Sequence, residues 1–276
     1  MININEINIR DPFILKERKD YYLYSSKDID GKHCFICYKS NNLIDFSSPK
    51  IIFEENSSFW GDQDFWAPEV HKYKSRYYLF ASFKSKYRPR GTSILVCNTP
   101  DGTFVPLKNG PVTPDNWECL DGTLFVDNNK PYMIFCREWL EVKDGEIYCV
   151  ELSDDLQEMK GKPYLLFKAS EAPWVKPLVG NDNFVTDGPF LFKKDGEYYM
   201  TWSSFSKNGY AVGIAKSSKI FSHWTNEEKP IYDENGGHAM LFEDGNKKVF
   251  MALHSPNDRR GQERLKIVNF ESIFNY

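Results

Sequence analysis

The stretch Thr186-DGPFLFKKDGEYYMTWSS-Phe205 runs from a turn tripeptide through an apolar strand and a polar turn into a second strand rich in Tyr and Met. Pro and Gly at its start break a helix, and Asp195-Gly196 between two apolar runs marks a tight reversal. Four other stretches repeat the order: Arg10-DPFILKERKDYYLYS-Ser26, Trp66-APEVHKYKSRYYLFAS-Phe83, Leu120-DGTLFVDNNKPYMIFCR-Glu138 and Gly236-GHAMLFEDGNKKVFMALHS-Pro256. With Pro12, Pro68, Thr123, Pro189 and Ala239 taken as equivalent, the spacings are 56, 55, 66 and 50 residues. Further strand-like runs, such as Ser93-ILVC-Asn98 and Glu146-IYCVE-Leu152, fill each interval. Four strands per unit of roughly 50 residues is the size of a propeller blade. The expected fold is therefore an all-β, five-bladed β-propeller with four antiparallel strands per blade, a single domain over residues 1–276. The run Leu265-KIVN-Phe270 and the alternating Ile2 and Ile4 are expected to close the ring.

Composition narrows the function classes. Aromatic residues make up 16% of the 276, which suits short strands and argues against helix bundles. Thirty-nine acids against 35 bases leave a net charge of −4, and no basic tract suggests nucleic acid or an anionic membrane as partner. The start, Met1-Ile2-Asn3-Ile4-Asn5, lacks the features of a secretory leader, so the expected location is cytoplasmic with reduced thiols. Cys34-Phe35-Ile36-Cys37 has metal-ligand spacing, but no second such pair follows, and the other cysteines read as small buried hydrophobes.

In a blade of four antiparallel strands, the innermost strand starts on the face where the connection from the preceding blade arrives. All five opening motifs then converge on one mouth of the central channel. Asp11, Glu69, Asp121 and Asp187 lie at or next to four of them. Each alone reads as a turn residue. Several carboxylates gathered at one mouth repel one another, and a ring of acids with aromatics nearby suits acid/base chemistry on a sugar, or a cation site.

Asp11-Pro12-Phe13, Trp66-Ala67-Pro68-Glu69-Val70, Asp121-Gly122-Thr123, Asp187-Gly188-Pro189 and Gly237-His238, taken in order, resemble glycoside hydrolase family 43 over almost the full chain. The resemblance implies a five-bladed propeller that hydrolyses arabinofuranosidic or xylosidic bonds in oligosaccharides with inversion. It implies Asp11 as general base and Asp121 as the group that adjusts the acid's pKa. The acid should be the Glu of a Glu-Gly-Pro motif, and here Asp187 stands in its place. Asp reaches roughly 1.5 Å less far than Glu, and a misplacement of about 1 Å can cost on the order of 100-fold in rate. Glu138 and Glu171, on connections expected at the same mouth, are the alternative acids. Trp66, Glu69, His238 and Arg264 are the expected substrate-binding residues. His238 could also hold a structural calcium or sodium ion in the channel; no other cofactor is required. Trp60, Trp174 and Trp202 read as pocket or core aromatics. Two other functions remain open: a retaining fructoside hydrolase, because Arg10-Asp11-Pro12 and Glu118-Cys119 echo motifs used there, and a carbohydrate-binding propeller that has lost the acid. Oligomeric state is undetermined by the sequence.

Overall fold

The second strand of each repeat explains why the blades stack. In Arg76–Ser85, Leu79 and Ala81 join the cluster toward blade one, whereas Tyr78 and Phe80 join the cluster shared with blade three. Lys130–Arg137 alternates in the same way, with Met133 and Phe135 on one side and Ile134 and Cys136 on the other. A strand with a neighbouring sheet on both faces must be apolar at every position, not at alternate ones. Continuous runs such as Tyr77-Tyr78-Leu79-Phe80-Ala81, all buried, are the outcome.

The computed structural model describes residues 1–178 and 182–274. Five antiparallel sheets follow in chain order and form a five-bladed propeller. Blade one comprises Phe13–Glu17, Asp20–Ile29, Lys32–Ser40 and Lys50–Glu54. Blade two comprises Gln63–Tyr73, Arg76–Ser85, Arg88–Cys97 and Val105–Pro106. Cys119–Asp127, Lys130–Arg137, Glu146–Glu151 and Tyr164–Lys168 form blade three. Blade four is Asp187–Lys194, Glu197–Ser206, Gly209–Ser217 and Thr225–Asn226. Blade five has three strands, Gly237–Glu243, Val249–Ser255 and Arg264–Asn269.

The start of the chain takes the outer place in blade five. Asn8 bridges Arg264 antiparallel, the Ile9 N–H donates to the Glu263 carbonyl at 3.2 Å, and Ile7 and Ile9 are buried. Closure thus runs through residues 7–9. Ile2 pairs instead with Phe46, on the connection between the third and fourth strands of blade one, in a separate two-stranded sheet. The largest apolar cluster spans this seam, joining Phe13 and Leu23 of blade one to Met240, Phe242 and Leu265 of blade five. All six cysteines are free thiols. No helix among the described residues is long and apolar enough to cross a membrane.

Candidate active site

One irregularity recurs at the mouth. In blades two to five the innermost strand gains a residue against its neighbour. Trp66 faces Ser82 but Glu69 faces Phe80; Leu120 faces Cys136 but Thr123 faces Ile134. Asp187 and Phe190 face Ser203 and Thr201, and Gly237 and Met240 face His254 and Ala252. Such a bulge bends the strand and re-aims a side chain. Inside it Ala67, Asp121, Gly188 and His238 have φ of 46°, 53°, 49° and 55°, and Asp11, at 50°, holds the corresponding place in blade one. Left-handed backbone at a non-glycine residue costs about 1–3 kcal/mol and persists only where the surroundings impose it.

The surroundings impose it through the bulged N–H groups. That of Asp121 donates to Ser82 Oγ (2.9 Å), that of His238 to Ser203 Oγ (2.8 Å) and that of Asp11 to His254 Nδ1 (3.2 Å). The Gly188 N–H donates to Asp121 Oδ2 at 2.9 Å. A Cβ on Gly188 would lie 2.9 Å from the His238 ring, so glycine is required there on both backbone and spatial grounds. His238 Nδ1 lies 3.2 Å from Asp11 Oδ1 and 3.8 Å from Asp121 Oδ2. Asp187 sits one residue ahead of its bulge, and its Oδ2 accepts the Tyr210 hydroxyl at 2.9 Å. Asp11, Asp121, Asp187, Tyr210 and His238 all line one cavity of about 1260 Å³.

The carboxyls carry different proton loads. Burial disfavours charge on Asp11, but the positive His238 and Arg10, with the His254 contact beside them, outweigh it and hold its pKa below the ordinary carboxylate value. Burial and the Asp121 carboxylate push Asp187 up to about 7, against the pull of His238 and the Tyr210 hydrogen bond. Asp121 itself rises to about 6, through burial and the nearby Asp11 and Glu69, opposed by His238 and the Gly188 N–H. His238 rises above the usual imidazole value: burial works against its charge, and Asp11, Asp121, Asp187 and Glu69 overcome it. Near neutral pH this arrangement provides one ionised and one protonated carboxyl.

The other expected residues divide. Glu138 lines the same cavity, and burial pushes it up to about 7 against its ion pair with Arg90. Arg90 is buried, also pairs with Asp64 at 2.8 Å, and lies 4.2 Å under the ring of Trp66, which is 40% exposed at the rim. Glu69 is buried two residues past its bulge and bonded to His71 at 2.9 Å; it acts on the cluster by charge and does not line the cavity. Glu171 is a correction. It ends a short 3₁₀ turn, accepts the Lys168 N–H at 2.8 Å and pairs with His223 at 2.9 Å, away from the cavity. Arg264 is another: its Nε donates to the Asn5 carbonyl and its Nη1 to the Glu263 carbonyl, so it fastens the ring closure, outside the cavity lining. Trp60 donates to Ser93 Oγ, while Trp174 and Trp202 pack on each other inside the core. Glu118 accepts the Arg90 N–H and pairs with Lys84, outside the cavity lining.

Among the described residues no group of three or more His, Cys, Asp or Glu side chains is arranged to hold a metal ion. His238 turns Nδ1 to two carboxylates, Asp11 and Asp121. Sequence reading missed Tyr210, His254, Arg90 and Asp64. His254 was open to discovery from the repeat, since it shares a position with Ser82, Cys136 and Ser203 opposite the bulges. Arg90 and Tyr210 open third strands, which carry no repeated motif.

The profile of glycosyl hydrolases family 43 matches residues 4–268. The chain belongs to that family. A solved structure described as an endo-arabinase from Bacteroides thetaiotaomicron superposes with a TM-score of 0.92 at 42% identity, over 98% of this chain and 96% of that one. A xylosidase/arabinosidase of Butyrivibrio fibrisolvens is 26% identical across 91% of this chain, which spans 50% of that protein's length. An extracellular exo-α-(1→5)-L-arabinofuranosidase of Cellvibrio japonicus is 22% identical over 98% of this chain and 81% of its own length. Family 43 membership makes this propeller a glycoside hydrolase fold, and its carboxyl cluster lines one cavity.

Proposed function

We propose that this family 43 chain cleaves arabinofuranosidic or xylosidic bonds in oligosaccharides by single displacement with inversion. One observation carries the reading: on the wall of one cavity the Asp11 carboxyl is held below the ordinary carboxylate value while that of Asp187 is pushed up to about 7. Asp11 takes a proton from water as the water attacks the anomeric carbon. Asp187 gives its proton to the departing oxygen. The Asp121 carboxylate keeps that proton on Asp187 until the bond breaks, and His238 holds Asp11 and Asp121 in place. The likeness to a protein described as an endo-arabinase, and to one described as an exo-α-(1→5)-L-arabinofuranosidase, favours arabinosyl substrates. Glu138 offers a second acid, because it too is buried, pushed up to about 7 despite its pairing with Arg90, and on the cavity wall.

The test is a panel of aryl arabinofuranosides, xylosides, galactosides and fructosides together with linear arabino-oligosaccharides, with product anomers read by NMR at early times. Arabinosyl turnover with inverted anomers is expected. Retention would point to the fructoside-type mechanism, and sugar binding without turnover of any aryl glycoside would point to a binding propeller.

A further inference from the structure

Asp11 is held from behind by an imidazole that does not reach the cavity. His254 is fully buried and does not line it. Its Nδ1 lies 3.2 Å from the Asp11 backbone nitrogen, which carries a hydrogen, and 3.4 Å from Asp11 Oδ1. Its Nε2 lies 3.0 Å from Asn257 Oδ1, which also accepts Arg10 Nη2 at 2.7 Å. The Arg10 contact fixes which end of the Asn257 amide faces inward, because a guanidinium only donates. Oδ1 therefore requires a hydrogen on Nε2, and the Asp11 N–H requires a lone pair on Nδ1. A protonated Nδ1 would set two N–H groups against each other. Only the neutral Nε2–H tautomer satisfies both contacts. The Tyr210 ring, 5.7 Å away and 23° from parallel, covers the face of the imidazole, while the Tyr210 hydroxyl reaches Asp187.

We propose that His254, locked as its Nε2–H tautomer by Asn257, is the positioning residue for Asp11, accepting the backbone N–H that the left-handed conformation of Asp11 turns away from the strand ladder. The inference rests on the reading of Asp11 as the base. The charged and titratable groups around the imidazole are Asp11, Arg10, His238 and Tyr210. Burial lowers the His254 pKa against the pull of Asp11, in keeping with a neutral ring.

Three full-length proteins test this: wild type, His254→Leu and His254→Asn. Leu keeps bulk but leaves the Asp11 N–H unsatisfied, whereas Asn places an amide oxygen near the position of Nδ1. For His254→Leu, kcat should fall by about tenfold or more, since misplacement of about 1 Å costs on the order of 100-fold, with KM within about twofold. The acidic limb of its kcat/KM profile should move to higher pH, because Asp11 then sits beside hydrocarbon. His254→Asn should restore most of kcat. In wild type, long-range ¹H–¹⁵N spectra should show the Nε2–H tautomer for the imidazole missing from the His254→Asn spectrum. Wild-type kcat and acidic limb in His254→Leu, equal losses in the two variants, or an Nδ1–H or charged His254 at pH 6 would each overturn the proposal. If His254→Leu does not fold, the tautomer and the His254→Asn kinetics decide. Failure of the base assignment itself shows separately, as an Asp11→Asn variant with activity within a few-fold of wild type.

Discussion

Asp187 carries its carboxyl on a side chain one methylene short of glutamate, yet burial and the Asp121 charge make its neighbourhood one that keeps a proton, against the hydrogen bond that the Tyr210 hydroxyl donates to it. Alanine there should slow oligosaccharide hydrolysis about 10²–10⁴-fold, the range general acid assistance supplies, while nitrophenyl glycosides lose much less. Steady-state rates on both substrate types read the difference. If Glu138→Gln shows that leaving-group dependence in place of Asp187→Ala, Glu138 is the acid. Asp121 makes a second prediction. Its charge raises the Asp187 pKa, so Asp121→Asn should lower it, reduce the protonated fraction at pH 7 and shift the alkaline limb of kcat/KM to lower pH. An alkaline limb that stays at wild-type pH would remove Asp121 from that role.

At the scale of the strand, the bulge does the positioning. Gly188→Ala adds a Cβ 2.9 Å from the His238 ring to a residue at φ +49°. A loss in kcat on the order of 100-fold is expected, with a lower Tm, measured by kinetics and thermal unfolding. The bulge also marks how far the sequence could be read. Pro and Gly at each opening announce the five inner strands, and the acids beside them announce Asp11, Asp121 and Asp187. The added residue leaves no mark of its own: Thr123 reads as the partner of Pro12 and Pro189, whereas the left-handed residues Asp11, Asp121 and Gly188 align Pro12 with Gly122. Chain topology puts Glu171 near the mouth, but a 3₁₀ turn uses its carboxylate as a cap, and that depends on local backbone conformation. Arg264 and His254 owe their roles to partners some 240–260 residues away, a distance at which no spacing rule operates.

Across the whole molecule the site opposes stability at alkaline pH. Asp187 and Glu138 titrate near 7 and Asp121 near 6 in the folded chain, all above the value of about 4 for an unfolded carboxylate. Between those values the folded state binds more protons than the unfolded one, so their contribution is complete below about pH 4 and is lost as pH rises through 6–7. His238, also raised, acts in the same direction, and His254, lowered, in the opposite one. Carboxylates with lowered values, such as Asp11 and Asp127, contribute in full above pH 4 and lose that contribution on acidification. Tm should therefore fall from pH 5.5 to pH 8, and Asp187→Asn should flatten the slope. A Tm that rises over that interval in wild type would contradict the proton loads assigned to the cluster.

The seam between blades one and five also orders events during synthesis. Asn8 finds its partner Glu263 255 residues later, a wait on the order of tens of seconds on the ribosome at roughly 5–20 residues per second. Until then the flank of blade one that will meet Met240, Phe242 and Leu265 has no cover, and the nascent chain presents an open apolar edge to its neighbours. The strand Arg264–Asn269 thus fastens residues made some 255 positions before it.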